Sequence, residues 1–213
     1  MPLLSFEILE VEPRAFAASP LLIFKLRIAN GNAGAAIQNI ALRSQIQIEA
    51  TRRRYTADEQ KRLRDLFDEP SRWSQTLRTM LWTHAGVTVP PFTGEVRVDL
   101  PVECTFDFNV AATKYFAGLE DGEIPLLFQF SGTCFYANGN GSLQIEQIPW
   151  SAETKFRLPV SVWQSMMDLY YPNSAWLRLR RDVFEKLYEF KVKNGIPTWE
   201  QALEKILPKE DDA

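Results

Sequence analysis

The chain has 213 residues, of which 46% are hydrophobic and 24% are charged, and its formal net charge is -3. This is ordinary globular composition, with enough apolar mass for a hydrophobic core. An acidic chain attracts nucleic-acid phosphates only through a segregated basic patch, and no apolar run approaches the roughly 20 residues of a membrane helix. We therefore expect a globular protein without a membrane span and without nucleic-acid binding.

The amino-terminal segment indicates where the protein works. It has no basic start, and Glu7 and Glu10 interrupt its apolar residues, which is not typical of a secretory signal. The two cysteines, Cys104 and Cys134, each lie in an apolar alternation. Such cysteines are typical of small core residues in a reducing compartment, so the sequence predicts a cytoplasmic protein.

Alternation of apolar and polar residues predicts β-strands along the first two thirds of the chain. The clearest run covers residues 40–49, where every second side chain is apolar or small and the others are polar. Successive side chains of a strand point to opposite faces, so this run has one buried and one solvated face. Similar patterns predict strands at 3–11, 21–29, 82–89, 94–100 and 102–108, and a hairpin from 124 to about 148 around the turn 138–142.

Helices interrupt this sheet and follow it. Thr56 and Glu59 have the spacing of a capping box, which predicts a helical insertion at about 56–80. Asn109 is a candidate cap of a short helix through Phe116. From Pro159 the apolar period changes from two to 3.6, which predicts about three helices and a solvated acidic tail at 208–213.

These elements together predict an α+β fold. We expect a predominantly antiparallel β-sandwich or partly open barrel over residues 1–150. The remaining residues, 151–213, form a C-terminal helical region of about three helices packed on it. The C-terminal helices each have an apolar face that is too large to stay solvated. We therefore expect the β-sandwich and the helical region to unfold as one cooperative unit.

No motif in the chain announces catalysis or a cofactor. The single histidine, His84, could pair with Cys104 or Cys134 as base and nucleophile, but a polar position on a strand is the favoured interpretation. One histidine and two separated cysteines cannot form a conventional four-ligand zinc site. The glycines at 139 and 141 precede no helix, so they build no phosphate-binding loop. The sequence predicts no catalytic residue, no metal and no cofactor.

The sharpest basic cluster lies in the helical insertion. Acidic neighbours cancel most of its field, which favours a salt-bridged helical face over nucleic-acid binding. Arginine and aromatic side chains on an excursion from a sheet are also typical of protein-binding surfaces. Our candidate partner-binding patch consists of Arg52, Arg53, Arg54, Tyr55, Arg72 and Trp73.

Several segments of the chain resemble a bacterial protein family known only as a domain of unknown function. The resemblance is carried by RRRY at 52–55, EPSRW at 69–73, LWTH at 81–84, CTFDFNVAATKY at 104–115 and WLRLRRD at 176–182. It extends over nearly the whole chain and includes no catalytic signature. The resemblance implies no activity, but it implies a genomic context near nickel–iron uptake hydrogenase genes, and thus an accessory or assembly role.

Three functions remain open at the level of sequence. The leading one is a non-catalytic cytoplasmic protein that binds another protein, possibly of a nickel–iron hydrogenase system. The alternative is a small-molecule binding protein that encloses an apolar ligand in the sandwich or at the sheet–helix junction. An enzyme that uses dispersed carboxylates ranks last, and the sequence does not define the oligomeric state.

Overall fold

A computed structural model describes residues 1–32, 35–105, 110–174, 177 and 179–207. The chain divides into two compact units, Met1–Ser174 and Ala175–Ala213, which we call the sandwich unit and the helical unit. The sandwich unit contains all eight described strands. Their bounds are β1 (Leu4–Pro13), β2 (Leu21–Asn30), β3 (Ala36–Ile48), β4 (Met80–Val89), β5 (Glu95–Glu103), β6 (Glu123–Ala137), β7 (Leu143–Gln147) and β8 (Glu153–Pro159).

The strands form two antiparallel sheets. The first has the order β1-β2-β5, and the second has the order β4-β3-β6, with β7 and β8 paired to successive parts of the long β6. No hydrogen-bonded ladder between described residues joins one sheet to the other, so the architecture is an open sandwich rather than a closed barrel. The predicted α+β class with a predominantly antiparallel sheet is confirmed.

The core lies between the two sheets because one face of each inner strand is apolar. On β2 the side chains from Leu22 to Ile28 at even positions are completely buried, and β3 buries its even positions from Ile40 to Ile48. Aromatic rings connect the sheets, with the Phe24 and Phe128 ring centroids 5.1 Å apart in an edge-to-face arrangement. This geometry matches the preferred packing of aromatic pairs.

The bounds of the α-helices are α1 (Ala57–Arg62), α2 (Arg64–Phe67), α3 (Trp73–Thr76), α4 (Val110–Ala117), α5 (Val160–Tyr170), α6 (Arg181–Lys193) and α7 (Trp199–Ile206). Helices α1 to α4 lie between strands, and α5 to α7 follow β8. The predicted capping box is present at the start of α1, and α5 buries Val160, Trp163 and Met166. Within the described ranges, no helix is long and apolar enough to cross a membrane.

Two strand predictions were wrong in their bounds. The segments 94–100 and 102–108 were predicted as separate strands, yet β5 runs without a break through Pro101. Proline is tolerated there because β5 is an edge strand, which forms backbone hydrogen bonds with only one neighbouring strand. Strand β8 was assigned to the helical region, although Phe156 and Leu158 alternate with charged residues as a half-buried strand requires.

Four sequence-based predictions lie wholly or partly outside the described residues: the end of the strand 102–108, the cap at Asn109, the tail at 208–213, and the position of Trp176 in the helical period that begins at Pro159.

The helical unit contains α6 and α7. Gly195, with φ of 62°, follows the end of α6, and the Thr198 hydroxyl accepts a hydrogen bond from the Gln201 amide. Of the described residues of this unit, only Ile196 and Ala202 are buried. The helical unit therefore has almost no core of its own. The expectation of one cooperative unfolding unit stays a prediction.

Candidate functional site

Arg53, one of the predicted partner-binding residues, lies inside the sandwich unit, and its side chain is only 8% exposed. The guanidinium forms an ion pair with the Glu59 carboxylate of α1. It also donates hydrogen bonds to the carbonyl oxygens of Asp121 (2.7 Å) and Glu123 (3.1 Å). Arg53 thus joins the helical insertion to the turn that precedes β6.

Glu59 completes this ion pair from the other side. Its Oε2 accepts the Thr56 amide at 3.0 Å, which closes the capping box, and its Oε1 accepts the Glu120 amide at 3.0 Å. The carboxylate is 2% exposed and has charged and neutral donors around it. A buried charge needs such partners, so this pair has a structural role and presents no charge to a binding partner.

Tyr55 and Trp73 belong to the same cluster. The Tyr55 hydroxyl donates to the Ala50 carbonyl at 2.7 Å, so the Tyr115 hydroxyl, 2.8 Å away, donates to Tyr55. Burial raises the pKa of Tyr55 to about 12 and also raises the pKa of Tyr115. The Trp73 ring packs edge-to-face on Tyr55, with centroids 5.2 Å apart, and its Nε1 donates to the Asp68 carbonyl.

The other three arginines of the predicted patch remain at the surface. Arg52 pairs with Glu49 at 2.9 Å and Arg72 pairs with Asp68, while Arg54 is exposed and makes no ion pair with another described residue. The structure therefore brings Arg53, Tyr55 and Trp73 together as a packed cluster. It leaves Arg52, Arg54 and Arg72 as the accessible part of the patch.

Among the described residues, no hydrogen bond joins His84 to Cys104 or Cys134. His84 is on the exposed face of β4, and its Nε2 is 3.4 Å from Gln45 Oε1. Burial raises the pKa of the Cys104 thiol to about 12 and that of Cys134 to about 11, which keeps both protonated and weakly nucleophilic. Across the described residues, no three His, Cys, Asp or Glu side chains form a group that could hold a metal ion.

The sandwich unit also has a pocket, which bears on the small-molecule alternative. This pocket of about 350 Å³ lies between β4 and β5. Its lining includes Thr83, His84 and Glu103, and such polar groups do not suit an apolar ligand. Between the sheets, where an apolar ligand was expected, rings such as Phe24 and Phe128 are buried in the core, and a smaller apolar pocket of about 170 Å³ lies beside the amino-terminal residues 1–4.

An apolar concave surface lies in the helical unit, between α6 and α7. We call it the α6–α7 groove, and it has a volume of about 460 Å³. Trp199 borders it and contacts Phe184, with ring centroids 5.3 Å apart. The groove is lined by Leu177, Leu179, Arg181, Phe184, Leu187, Trp199 and Leu203.

Two basic side chains lie along this groove. Arg181 lines one end, where its side chain is 92% exposed and pairs with Glu185 at 2.8 Å. The Lys191 ammonium lies 5.4 Å from the centre of the Trp199 ring, within the range of a cation–π contact. The result is an apolar groove bordered by arginine and lysine.

A model of the family of unknown function DUF6084 matches residues 1–213, which is the whole chain. The chain belongs to DUF6084. This confirms the resemblance to a family of unknown function, and the family description states no activity.

Comparison of this DUF6084 chain with known proteins adds no activity. No curated protein matches it. The crystal structure of the "Putative ApaA Protein" from Bordetella pertussis is 13% identical, with a TM-score of 0.25, over 74% of this chain and 95% of that one. The X-ray structure of a Northeast Structural Genomics Consortium target is 13% identical, with a TM-score of 0.23, over 85% and 93%. With TM-scores this low, neither likeness bears on fold or function.

The α6–α7 groove was missed by sequence reasoning, although its residues were recognised. The stripe that includes Val183, Leu187 and Phe190 and the stripe of Trp199, Leu203 and Ile206 were interpreted as faces that pack on the sandwich or on a partner. The signal that could have revealed a groove is the apolar stripe on each of two short helices, α6 and α7, that are joined by a short connection.

Proposed function

We propose that this DUF6084 chain is a non-catalytic, cytoplasmic protein-binding or accessory protein whose partner docks in the α6–α7 groove. The observation that carries the proposal is the near absence of a core in the helical unit. Chain pieces below about 40 residues rarely fold without disulfides, metals or association. The two helices bury only Ala202, and their connection buries only Ile196, so they need another surface to cover them.

The exposed apolar area fits a protein partner. Seven large apolar side chains among the described residues of this unit are 39% to 65% exposed. Two of them are aromatic, and aromatic side chains bury roughly 150–250 Å² each when covered, so a partner that covered the set would remove on the order of several hundred Å² of apolar surface from water. The residues are Leu177, Val183, Phe184, Tyr188, Val192, Ile206 and Leu207.

We extend the proposal to a nickel–iron hydrogenase system as the source of the partner. The support is the genomic context that the family resemblance implies, and no residue of this chain adds to it. In such a system the chain would assist assembly through protein contacts and would not itself hold the metal.

Site-specific photocrosslinking tests the proposal. Benzoylphenylalanine replaces Leu203 inside the groove or, as the matched control, exposed Lys205, which lies about 160° away around α7. Both variants are expressed in the native host while it produces hydrogenase, and adducts are identified by mass spectrometry. We expect one defined protein to crosslink from position 203 and not from position 205. Recovery of the chain alone, at monomeric mass and without adducts, would contradict the proposal.

A further inference from the structure

We infer that the pocket between β4 and β5, which we call the β4–β5 pocket, binds a small organic molecule through a primary ammonium group. The pocket belongs to the sandwich unit, so the inference is independent of the partner proposed for the α6–α7 groove. It uses three observations: an unpaired strand edge forms one wall, Glu103 brings a carboxylate without an ion pair, and the buried Thr105 hydroxyl has no partner.

One wall of the β4–β5 pocket is the open edge of a sheet. Its lining includes the four consecutive residues from Thr83 to Gly86. Successive side chains of a strand point to opposite faces, so four consecutive residues line one pocket where it faces the edge of the strand. Strand β4 ends the order β4-β3-β6-β7, and no ladder between described residues covers its other edge. Backbone carbonyl and amide groups along this edge are therefore available to a ligand.

The other wall carries a carboxylate that no described residue neutralises. Glu103 is the last residue of β5 and forms no ion pair within the described ranges. The other acidic residues of this strand do form such pairs, since Asp99 lies 2.9 Å from Lys25 and Glu95 lies 3.9 Å from Arg27. Among the described lining residues there is no lysine or arginine. The β4–β5 pocket therefore attracts a cation and offers no counter-charge to an anion.

The neighbouring polar side chains add hydrogen-bond acceptors. Thr105 Oγ1 is buried without a partner, and a ligand that donates to it would remove the cost of that unmade hydrogen bond. Gln45 Nε2 donates to Gln129 Oε1 at 3.3 Å, which leaves Gln45 Oε1 to accept from His84 Nε2 at 3.4 Å. In the neutral imidazole, His84 Nδ1 is then an acceptor. A primary ammonium brings three N–H donors, one each for a carboxylate, a hydroxyl and a backbone carbonyl.

The size of the pocket favours a compact ligand. Its volume of about 350 Å³ lies near the lower end of the roughly 300–1,000 Å³ that small-molecule sites occupy. A free amine with a few carbon atoms fits this volume. The lysine side chain of another protein is the competing source of the same ammonium chemistry, and the experiment has to separate the two.

Titration of the nitrogen-15-labelled full chain with three ligands of equal length tests the inference by NMR. Butylammonium, 1-butanol and butyrate share a four-carbon chain and differ in the head group. At pH 7 we expect butylammonium to give saturable chemical-shift changes at the amides of residues 83–86 and 103–105. Its dissociation constant should be at least about 10-fold tighter than those of the alcohol and the carboxylate, with a preference that shrinks as salt rises.

Two pairs of variants locate the effect. E103Q should weaken butylammonium binding at least about 5-fold. E153Q removes the same charge from an exposed residue of β8 that forms no ion pair in the described chain, and it should leave binding unchanged. T105V keeps the shape of the side chain and should weaken binding about 3-fold, whereas S44A, which removes an unpartnered hydroxyl from the core, should not. The spectrum of each variant shows whether it is folded.

The remaining outcomes each overturn the inference. Equal shifts with all three ligands, shifts that do not saturate, or saturation at other amides would exclude ammonium recognition in the β4–β5 pocket. Equal weakening by E103Q and E153Q would reduce the effect to general attraction by an acidic chain. At least about 10-fold tighter binding of an acetylated, amidated tripeptide with a central lysine would overturn the small-molecule source. The crosslink at position 203 tests the proposed function separately from all of these results.

Discussion

The Arg53 guanidinium is a charge that the sandwich unit encloses, and its partner Glu59 is equally buried. Removing one member of a buried ion pair leaves the other uncompensated, which costs about 3–5 kcal/mol. We therefore expect R53M and E59Q each to lower the free energy of unfolding by about that amount. The double variant should lose much less free energy of unfolding than the two single variants lose together, because it leaves no unpaired buried charge. Chemical denaturation of the four proteins measures this coupling.

The exposed neighbour Arg54 supplies the control for this cycle. R54M should change the free energy of unfolding by no more than about 0.5 kcal/mol. Additive losses in the Arg53 and Glu59 variants would contradict the assigned structural role. The same reasoning limits how the predicted partner-binding patch can be tested, because charge reversal at Arg53 perturbs folding. A binding assay on that surface has to use Arg52 or Arg54.

The hydroxyl chain from Tyr115 through Tyr55 to the Ala50 carbonyl predicts a pH dependence. The folded-state pKa of Tyr55 is about 12, above its ordinary value of 10.0, so the folded protein retains this proton to higher pH than the unfolded chain. Its contribution to stability is complete below about pH 10 and is lost as the pH rises from about 10 through about 12. Burial shifts the pKa of Tyr115 in the same direction. Denaturant unfolding at pH 7 to 11 should therefore show stability falling above about pH 10.

Phenylalanine variants isolate this effect from other groups, such as Lys25, whose pKa is raised by Asp99 and Glu12. The double variant Y55F with Y115F should flatten the fall in stability above about pH 10. At pH 7, Y55F should cost about 1–3 kcal/mol because the buried Tyr115 hydroxyl loses its acceptor, whereas Y115F should cost about 0.5–1.5 kcal/mol. The reverse order of these two losses would show that the hydroxyl chain runs in the other direction.

At the scale of elements, alternation in the sequence predicts the inner strands well because both sheets bury one face. The run at 40–49 corresponds to most of β3, and the hairpin around 138–142 joins β6 to β7. The same rule fails where a second signal competes with it. Because proline interrupts most strands, Pro101 led to the prediction of two strands where the structure has β5 alone. The change of apolar period near Pro159 led to the assignment of β8 to the helical region.

The local sequence pattern does not predict one backbone feature of β6. Gly132 has φ of 136°, and a side chain there would place its Cβ 2.0 Å from the Ala41 carbonyl oxygen of β3. Only glycine avoids that overlap in the middle of a sheet. The requirement arises because β3 approaches β6 closely at this point. The pairing of β3 with β6 sets this distance, and the amino-acid composition of β6 does not reveal it.

The candidate site was only partly predictable for the same reason. The residues of the predicted patch are close in sequence, so their clustering was visible, but the burial of Arg53 depends on the turn at 121–123. That turn is about 70 residues away, and no spacing rule connects it to Arg53. In the helical unit the apolar stripes were visible, yet their exposure follows from how little area α6 and α7 can bury in each other.

At the scale of the whole molecule, the two units enclose very different amounts of apolar surface. Strands β3 and β6 contribute a continuous row of buried side chains, whereas α6 buries none of its residues. Helices of about 13 residues are marginal in water unless packing supports them. We therefore expect the backbone amides of α6 and α7 to exchange with solvent at least about 100-fold faster than those of β3 and β6 in the isolated chain.

Hydrogen exchange followed by mass spectrometry on the full chain measures this difference, with α5 as the internal control. Because α5 buries Val160, Trp163 and Met166, its amides should exchange as slowly as those of the sheets, although it too is a C-terminal helix. Equal protection of all these elements would contradict this prediction, and it would support the sequence-based expectation that the chain unfolds as one cooperative unit.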